Sequence, residues 1–155
     1  MINKQKNEAS TKINNNSLSA NAKDHSYDWN VNGDKEKKLG NYNKAINSYI
    51  KAFETVNPNG AKYIVAKISS CYRKINRPQS ALNFYNQARN LYGDYVVDYV
   101  VMTTIAGAYG DLKKWSEALN YANYACELND GVVDKYIEAV LNRITYNMNK
   151  SNKYN

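Results

Sequence analysis

From Tyr27 onward, apolar residues recur at the three- and four-residue spacing of a helix face, and the pattern breaks at near-regular intervals. The breaks are Gly40-Asn41, Asn57-Pro58-Asn59-Gly60, Asn76-Arg77-Pro78, Tyr92-Gly93-Asp94, Gly110-Asp111 and Asn129-Asp130-Gly131. They leave segments of roughly 12 to 18 residues, a usual helix length. Pro78 suits the first turn of a helix, where its missing N–H leaves no intrahelical bond unmade. The run Tyr95 to Met102 has the Val and Tyr content of a strand. Its continuation through Tyr109 exceeds strand length, so the segment from Tyr95 reads as a helix. The pattern therefore predicts seven helices and no sheet, an all-α fold.

Both ends of the chain fall outside this pattern. Residues 1–25 are rich in Asn, Ser and Lys, with only Ile2, Ile13 and Leu18 as large apolar residues. That composition cannot offset the entropy of ordering, so the segment reads as a disordered arm. Residues 150–155 read as a short frayed tail for the same reason. The chain holds 25 asparagines spread through arm and helices alike, which marks a compositional bias rather than a motif.

The helical region repeats itself. Ala45-Ile46-Asn47, Ala81-Leu82-Asn83 and Ala118-Leu119-Asn120 open three similar segments, each with a second alanine seven residues on at Ala52, Ala88 and Ala125. The intervals are 36 and 37 residues, a period that means stacked units. Alanine at fixed places lets neighbouring helices approach closely. Upstream of each lies a segment with a large residue and then a smaller one: Trp29 and Gly33, Val65 and Ser69, Met102 and Ala106.

These residues resemble the tetratricopeptide repeat family, whose pattern is W-x2-L-G-x2-Y, then A-x3-F, then P over about 34 residues. The first unit supplies Trp29, Gly33, Ala45, Tyr49, Ala52 and a Pro58 one place late, and departs from the pattern at Asn32 and Glu36. The second supplies Ile68, Ser69, Tyr72, Ala81, Tyr85 and Ala88, and the third Ile105, Ala106, Tyr109, Ala118 and Ala125, with Ala122 in place of the aromatic. The resemblance implies an α-solenoid of three antiparallel helix pairs, with repeats at about 26–59, 60–94 and 95–131. In the segment after them, Val133, Ile137, Val140 and Ile144 share one helical face, as a capping helix over 132–149 requires. The first helix of a truncated fourth unit would look the same.

In the resembled family the first helices of successive pairs line a concave groove that binds peptides or short helices of partner proteins. The repeat register places Asn30, Asp34, Lys37 and Lys38 of unit one there, with Tyr63, Lys67, Ser70, Arg73 and Lys74 of unit two and Thr103, Gly107 and Asp111 of unit three. The pairs Lys37-Lys38 and Arg73-Lys74 would stack side by side, a repulsion that an anionic group between them would relieve.

Charge adds to this picture. The 155 residues carry a net charge of +7. Residues 61–95 hold Lys62, Lys67, Arg73, Lys74, Arg77 and Arg89 against Asp94, while residues 96–130 hold Lys113 and Lys114 against Asp98, Asp111, Glu117, Glu127 and Asp130. A groove basic in its middle and acidic beyond favours a polar ligand with a preferred direction. The leading expectation is a peptide-binding adaptor whose ligand places acidic side chains or a terminal carboxylate near Lys37, Lys38, Arg73 and Lys74. The Lys and Asn clamp by which some family members grip chaperone carboxylates is not carried over. Its places hold Asn30 and Asp34 here, and an acid repels a carboxylate.

Catalytic raw material is scarce. The single histidine, His25, lies in the arm read as disordered, and Cys71 and Cys126 lie 55 residues apart, too sparse for a structural zinc site that wants four ligands at short spacings. Both cysteines read as small core residues. The seven glycines are scattered, so no phosphate-binding glycine loop occurs. No enzyme, metal or cofactor is expected. The first residues lack the apolar segment of a secretory signal and no stretch is apolar enough to span a bilayer, which favours the cytoplasm. Three other readings stay open: a small secretion-type chaperone, a nucleic-acid-binding protein using the basic second repeat and the tyrosines, and a scaffold that self-assembles through its solenoid ends.

Overall fold

The computed structural model describes residues 25–153. The disordered arm expected over residues 1–25 lies outside them except for His25, as do the last two residues of the expected tail. Among the described residues there are seven α-helices and no strand: α1 (Ser26–Lys38), α2 (Tyr42–Thr55), α3 (Pro58–Lys74), α4 (Pro78–Tyr92), α5 (Tyr99–Asp111), α6 (Trp115–Leu128) and α7 (Lys135–Asn152). Consecutive helices pack against each other, α3 also packs on α5, and α5 also packs on α7. The odd-numbered helices thus form one layer and the even-numbered ones the other. No helix among the described residues is long and apolar enough to cross a membrane.

Local chemistry starts and stops these helices where the sequence breaks fall. Pro58 and Pro78 occupy first-turn positions of α3 and α4. Asn57 caps α3 by accepting from the Gly60 N–H at 3.0 Å. Asp98 caps α5 through the Val100 N–H at 3.0 Å, and Asp134 caps α7 by accepting from the N–H groups of Tyr136 and Ile137 at 2.9 Å. The turn inside each helix pair is the same turn three times over. Gly40, Asn76 and Lys113 all take a left-handed backbone, with φ of 77°, 58° and 59°. In each, that residue's N–H bonds back three residues and the following N–H bonds back five.

The repeated small residues are what hold the layers close. Ala45, Ala52, Ala81, Ala88, Ala118 and Ala125 are all fully buried. Tyr49 and Tyr85 fill the space the pattern reserves for an aromatic, and Ala122 is buried in the third unit. Phe53 meets Phe84 and Tyr92 edge-on, with ring centroids 5.1 and 5.3 Å apart.

Three boundaries and the burial of one cysteine differ from the sequence expectation. Residues 95–98 are not α-helical: Gly93–Val96 forms a 3-10 turn, and α5 begins at Tyr99 because the Asp98 side chain terminates the extended backbone before it. Helix α7 runs through Asn152, so residues 150–152 of the expected tail continue the last helix. Val133 precedes α7 and is exposed, which leaves Ile137 and Ile144 as the buried residues of that helix and Val140 half-buried. Cys71 is fully buried as expected, but Cys126 is only half-buried.

Candidate functional site

The face formed by α1, α3, α5 and α7 is laced by ion pairs between successive helices. On α1, Asn30 and Asp34 stand one turn apart and so share a face. Lys67 of α3 reaches both, its Nζ 2.8 Å from Asn30 Oδ1 and 2.8 Å from Asp34 Oδ2. From behind, the Tyr49 hydroxyl of α2 donates to Asp34 Oδ1 at 2.6 Å. Burial pushes the Asp34 carboxyl up, but the hydrogen bonds from Lys67 and Tyr49, with the charges of Lys67 and Lys37, outweigh it and hold the group below the usual aspartate range. The Tyr49 phenol is pushed up, by burial first and then by donating to Asp34.

One repeat along, Arg73 Nε donates to Asp111 Oδ2 at 2.7 Å, and Arg143 of α7 donates to the other Asp111 oxygen. Asp111 thereby joins α3, α5 and α7. Gly107 makes this geometry feasible, since a β-carbon there would fall on the Arg73 guanidinium. Lys62 Nζ is 3.1 Å from Asp98 Oδ2, and that hydrogen bond raises the Lys62 pKa. Two of the six basic residues of the second repeat, Lys62 and Arg73, are therefore paired with acids of the third, and Lys67 with an acid of the first.

Of the positions assigned to the groove, Asn30, Asp34 and Lys67 come together, and so do Arg73, Gly107 and Asp111. Of the expected basic pairs Lys37-Lys38 and Arg73-Lys74, Arg73 is the member bonded to a carboxylate. Thr103 is buried, and its hydroxyl donates to the Tyr99 carbonyl at 2.7 Å in its own helix. Tyr63 is exposed, with Lys62 Nζ 5.2 Å from its ring centroid. Ser70 is half-buried and Lys74 is exposed. Lys37, Lys38 and Lys74 have no carboxylate within 4.0 Å among the described residues. Lys37 still acts electrostatically on both Asp34 and Cys71, favouring the ionised form of each. Arg143 was not assigned to the site. Treating the last segment as a fourth first-helix would have placed its basic residue against α5. Among the described residues no three His, Cys, Asp or Glu side chains converge into a metal site.

No protein-family model and no curated protein sequence matches the chain. Solved structures do. The Sgt2 TPR domain from Aspergillus fumigatus superposes with a TM-score of 0.69 at 15% identity, over 83% of this chain and 82% of that one. The first TPR domain of human RPAP3 gives 0.68 at 21% identity, over 84% and 98%. The second TPR domain of human RPAP3, solved in complex with the HSP70 peptide SGPTIEEVD, gives 0.60 at 22% identity, over 77% and 98%. With the repeated turns, the buried alanines and the two-layer packing, these likenesses establish that the chain has the fold of a tetratricopeptide-repeat domain: three helix pairs and a seventh helix.

Proposed function

We propose that this chain is a non-catalytic protein-interaction module that binds a peptide segment carrying acidic groups along the α1–α3–α5 face. The observation that carries this reading is the uneven fate of the charges there. Asp34 and Asp111 are matched by Lys67, Arg73 and Arg143, while Lys37, Lys38 and Lys74 have no acidic partner within 4.0 Å among the described residues. The face thus offers unmatched positive charge beside carboxylates already neutralised, and Asp34 is a weaker obstacle to an anionic ligand than an unpaired acid would be. Support by analogy comes from the second RPAP3 domain, which holds a peptide with two adjacent glutamates and a terminal aspartate. Relative to the sequence expectation, this contact centres on Lys37, Lys38 and Lys74, since Arg73 already gives its Nε–H to Asp111.

Fluorescence anisotropy with labelled peptides tests this. SGPTIEEVD and an acidic, a neutral and a basic nine-residue peptide are titrated with the full chain and with its K37E/K38E/K74E variant, whose folding is checked by circular dichroism. Acidic peptides are expected to bind, and the variant to weaken them about tenfold or more. Equal binding of basic peptides, or unchanged affinity in the variant, rejects the reading.

A further inference from the structure

A cavity of about 550 Å³ opens where α3, the α5–α6 turn and α7 meet. Its lining includes Arg73, Lys113, Arg143 and Lys150, with Asp111 the one acid among them. Four cations against one carboxylate leave a surplus of three positive charges around a single concavity. Asp111 holds the two guanidiniums in place, one by Arg73 Nε and one by Arg143 Nη2. Each guanidinium has five N–H donors, so most remain for another acceptor. Asp111 thus acts as an orienting group for two forks that it does not saturate. Lys113 and Lys150 have no carboxylate within 4.0 Å among the described residues. Asn147 adds an amide and Trp115 an aromatic wall.

Lys113 carries a second, independent signal. The equivalent turn positions are Gly40 and Asn76, the two residue types that take a left-handed backbone most readily. The third unit keeps the same φ and the same pair of turn hydrogen bonds, yet places a lysine there. Its backbone gains nothing from that choice, whereas its side chain stands on the cavity rim.

We propose that this cavity binds a phosphate monoester on the partner peptide, a phosphorylated side chain seated between Arg73, Lys113, Arg143 and Lys150. The inference rests on the peptide-binding reading above and names a second contact for the same ligand, since Arg73 and Asp111 border both. A dianionic phosphate matches the surplus of three better than a single carboxylate does, and its oxygens suit forked guanidinium donors. A nucleic-acid backbone fits less well. It needs positive charge continued along a track, and the third repeat beyond the cavity bears Glu117, Glu127 and Asp130.

The test uses the full chain. An acidic peptide, the same peptide carrying one phosphoserine, inorganic phosphate and a short RNA are titrated against the wild type, K113G and K113G/K150Q. Peptides and RNA are read by anisotropy, and inorganic phosphate by Trp115 fluorescence in a W29F background against chloride at matched ionic strength. Phosphorylation is expected to tighten the peptide about tenfold or more, and K113G/K150Q to abolish that gain while leaving the unphosphorylated peptide unaffected. K113G is expected to melt no lower than wild type, because glycine relieves the left-handed backbone, so its loss of phosphate response cannot come from unfolding. If both peptides bind equally, the phosphate site is overturned and the groove reading stands. Binding of inorganic phosphate or RNA while neither peptide binds overturns both.

Discussion

The guanidinium of Arg73 lies where the β-carbon of Gly107 would be, across the gap between α3 and α5. The first repeat has a parallel contact of a different kind: a β-carbon at Gly33 would enter the ring of Tyr49. Both glycines sit inside helices, where alanine is intrinsically better by about 1 kcal/mol. Their neighbours decide the outcome. Arg73 is the far end of a long, partly exposed side chain, whereas Tyr49 is fully buried in close packing and hydrogen-bonded to Asp34.

Gly33→Ala is therefore expected to destabilise by about 1–3 kcal/mol through overpacking, while Gly107→Ala stays within about 1 kcal/mol of wild type as Arg73 swings away. Urea unfolding measures both. Gly107→Ala should also weaken the Arg73–Asp111 contact, visible as a shifted Arg73 Nε–H resonance. Equal stabilities for the two variants would mean that the Tyr49 ring yields as freely as the arginine.

The acid limb of stability is expected to depend on Asp34. Its folded pKa lies below the usual value of 3.8 because Lys67 and Tyr49 favour the carboxylate more than burial disfavours it. The native state then binds fewer protons at Asp34 than the unfolded state does. The contribution is in full force above about pH 4 and is lost as pH falls through the lower folded value. Asp34→Asn should lower stability at neutral pH and flatten the decline below about pH 4. An unchanged acid slope in urea titrations at stepped pH would remove Asp34 from the account.

The repeat was legible in the sequence because close packing restricts a few positions to small residues, and Ala45, Ala81 and Ala118 keep that mark at a fixed interval. The turns were legible for a similar reason at Gly40 and Asn76, but not at Lys113, where the backbone demand is met by a residue that does not advertise it. The start of α5 was misplaced because Tyr95, Val96 and Val97 are as apolar as the helix they precede, and only the Asp98 side chain separates them. Groove positions followed from register, while the pairing state of their charges did not. Whether Arg73 faces a ligand or Asp111 depends on contacts 38 residues apart, which no local pattern records. Arg143 was not legible as a groove residue because a capping helix and the first helix of a fourth unit share one apolar pattern, and only the second reading places it beside α5.

The two thiols are expected to differ sharply. Cys71 is fully buried, and that burial raises its pKa more than Lys37 lowers it. Cys126 is half-buried on α6. Thiolate character and access together control labelling, so an aromatic disulfide reagent at about pH 8 should titrate one thiol in the native protein and the second only after urea is added. Mass mapping of the first adduct to Cys71 instead would contradict the packing of α3.

Ser69 is expected to be a site where a substitution improves the protein. It occupies the small-residue position of the second repeat, equivalent to Gly33 and Ala106, and is fully buried. Its hydroxyl has no hydrogen-bond partner among the described residues, so folding strips it of water without return. Alanine removes that cost, keeps the volume within one oxygen atom and favours the helix, for an expected gain of about 1 kcal/mol, or roughly 2–4 °C in Tm. Ser48 provides the contrast. It is also buried, but its Oγ accepts from Asn32 Nδ2 at 2.7 Å, so Ser48→Ala gives up a made hydrogen bond and should cost about 1 kcal/mol. Urea unfolding with an unchanged m-value should therefore move the two serine variants in opposite directions. A loss of stability in Ser69→Ala would mean that its hydroxyl is paired after all, and that the second repeat stacks on the first through a polar contact rather than through close approach alone.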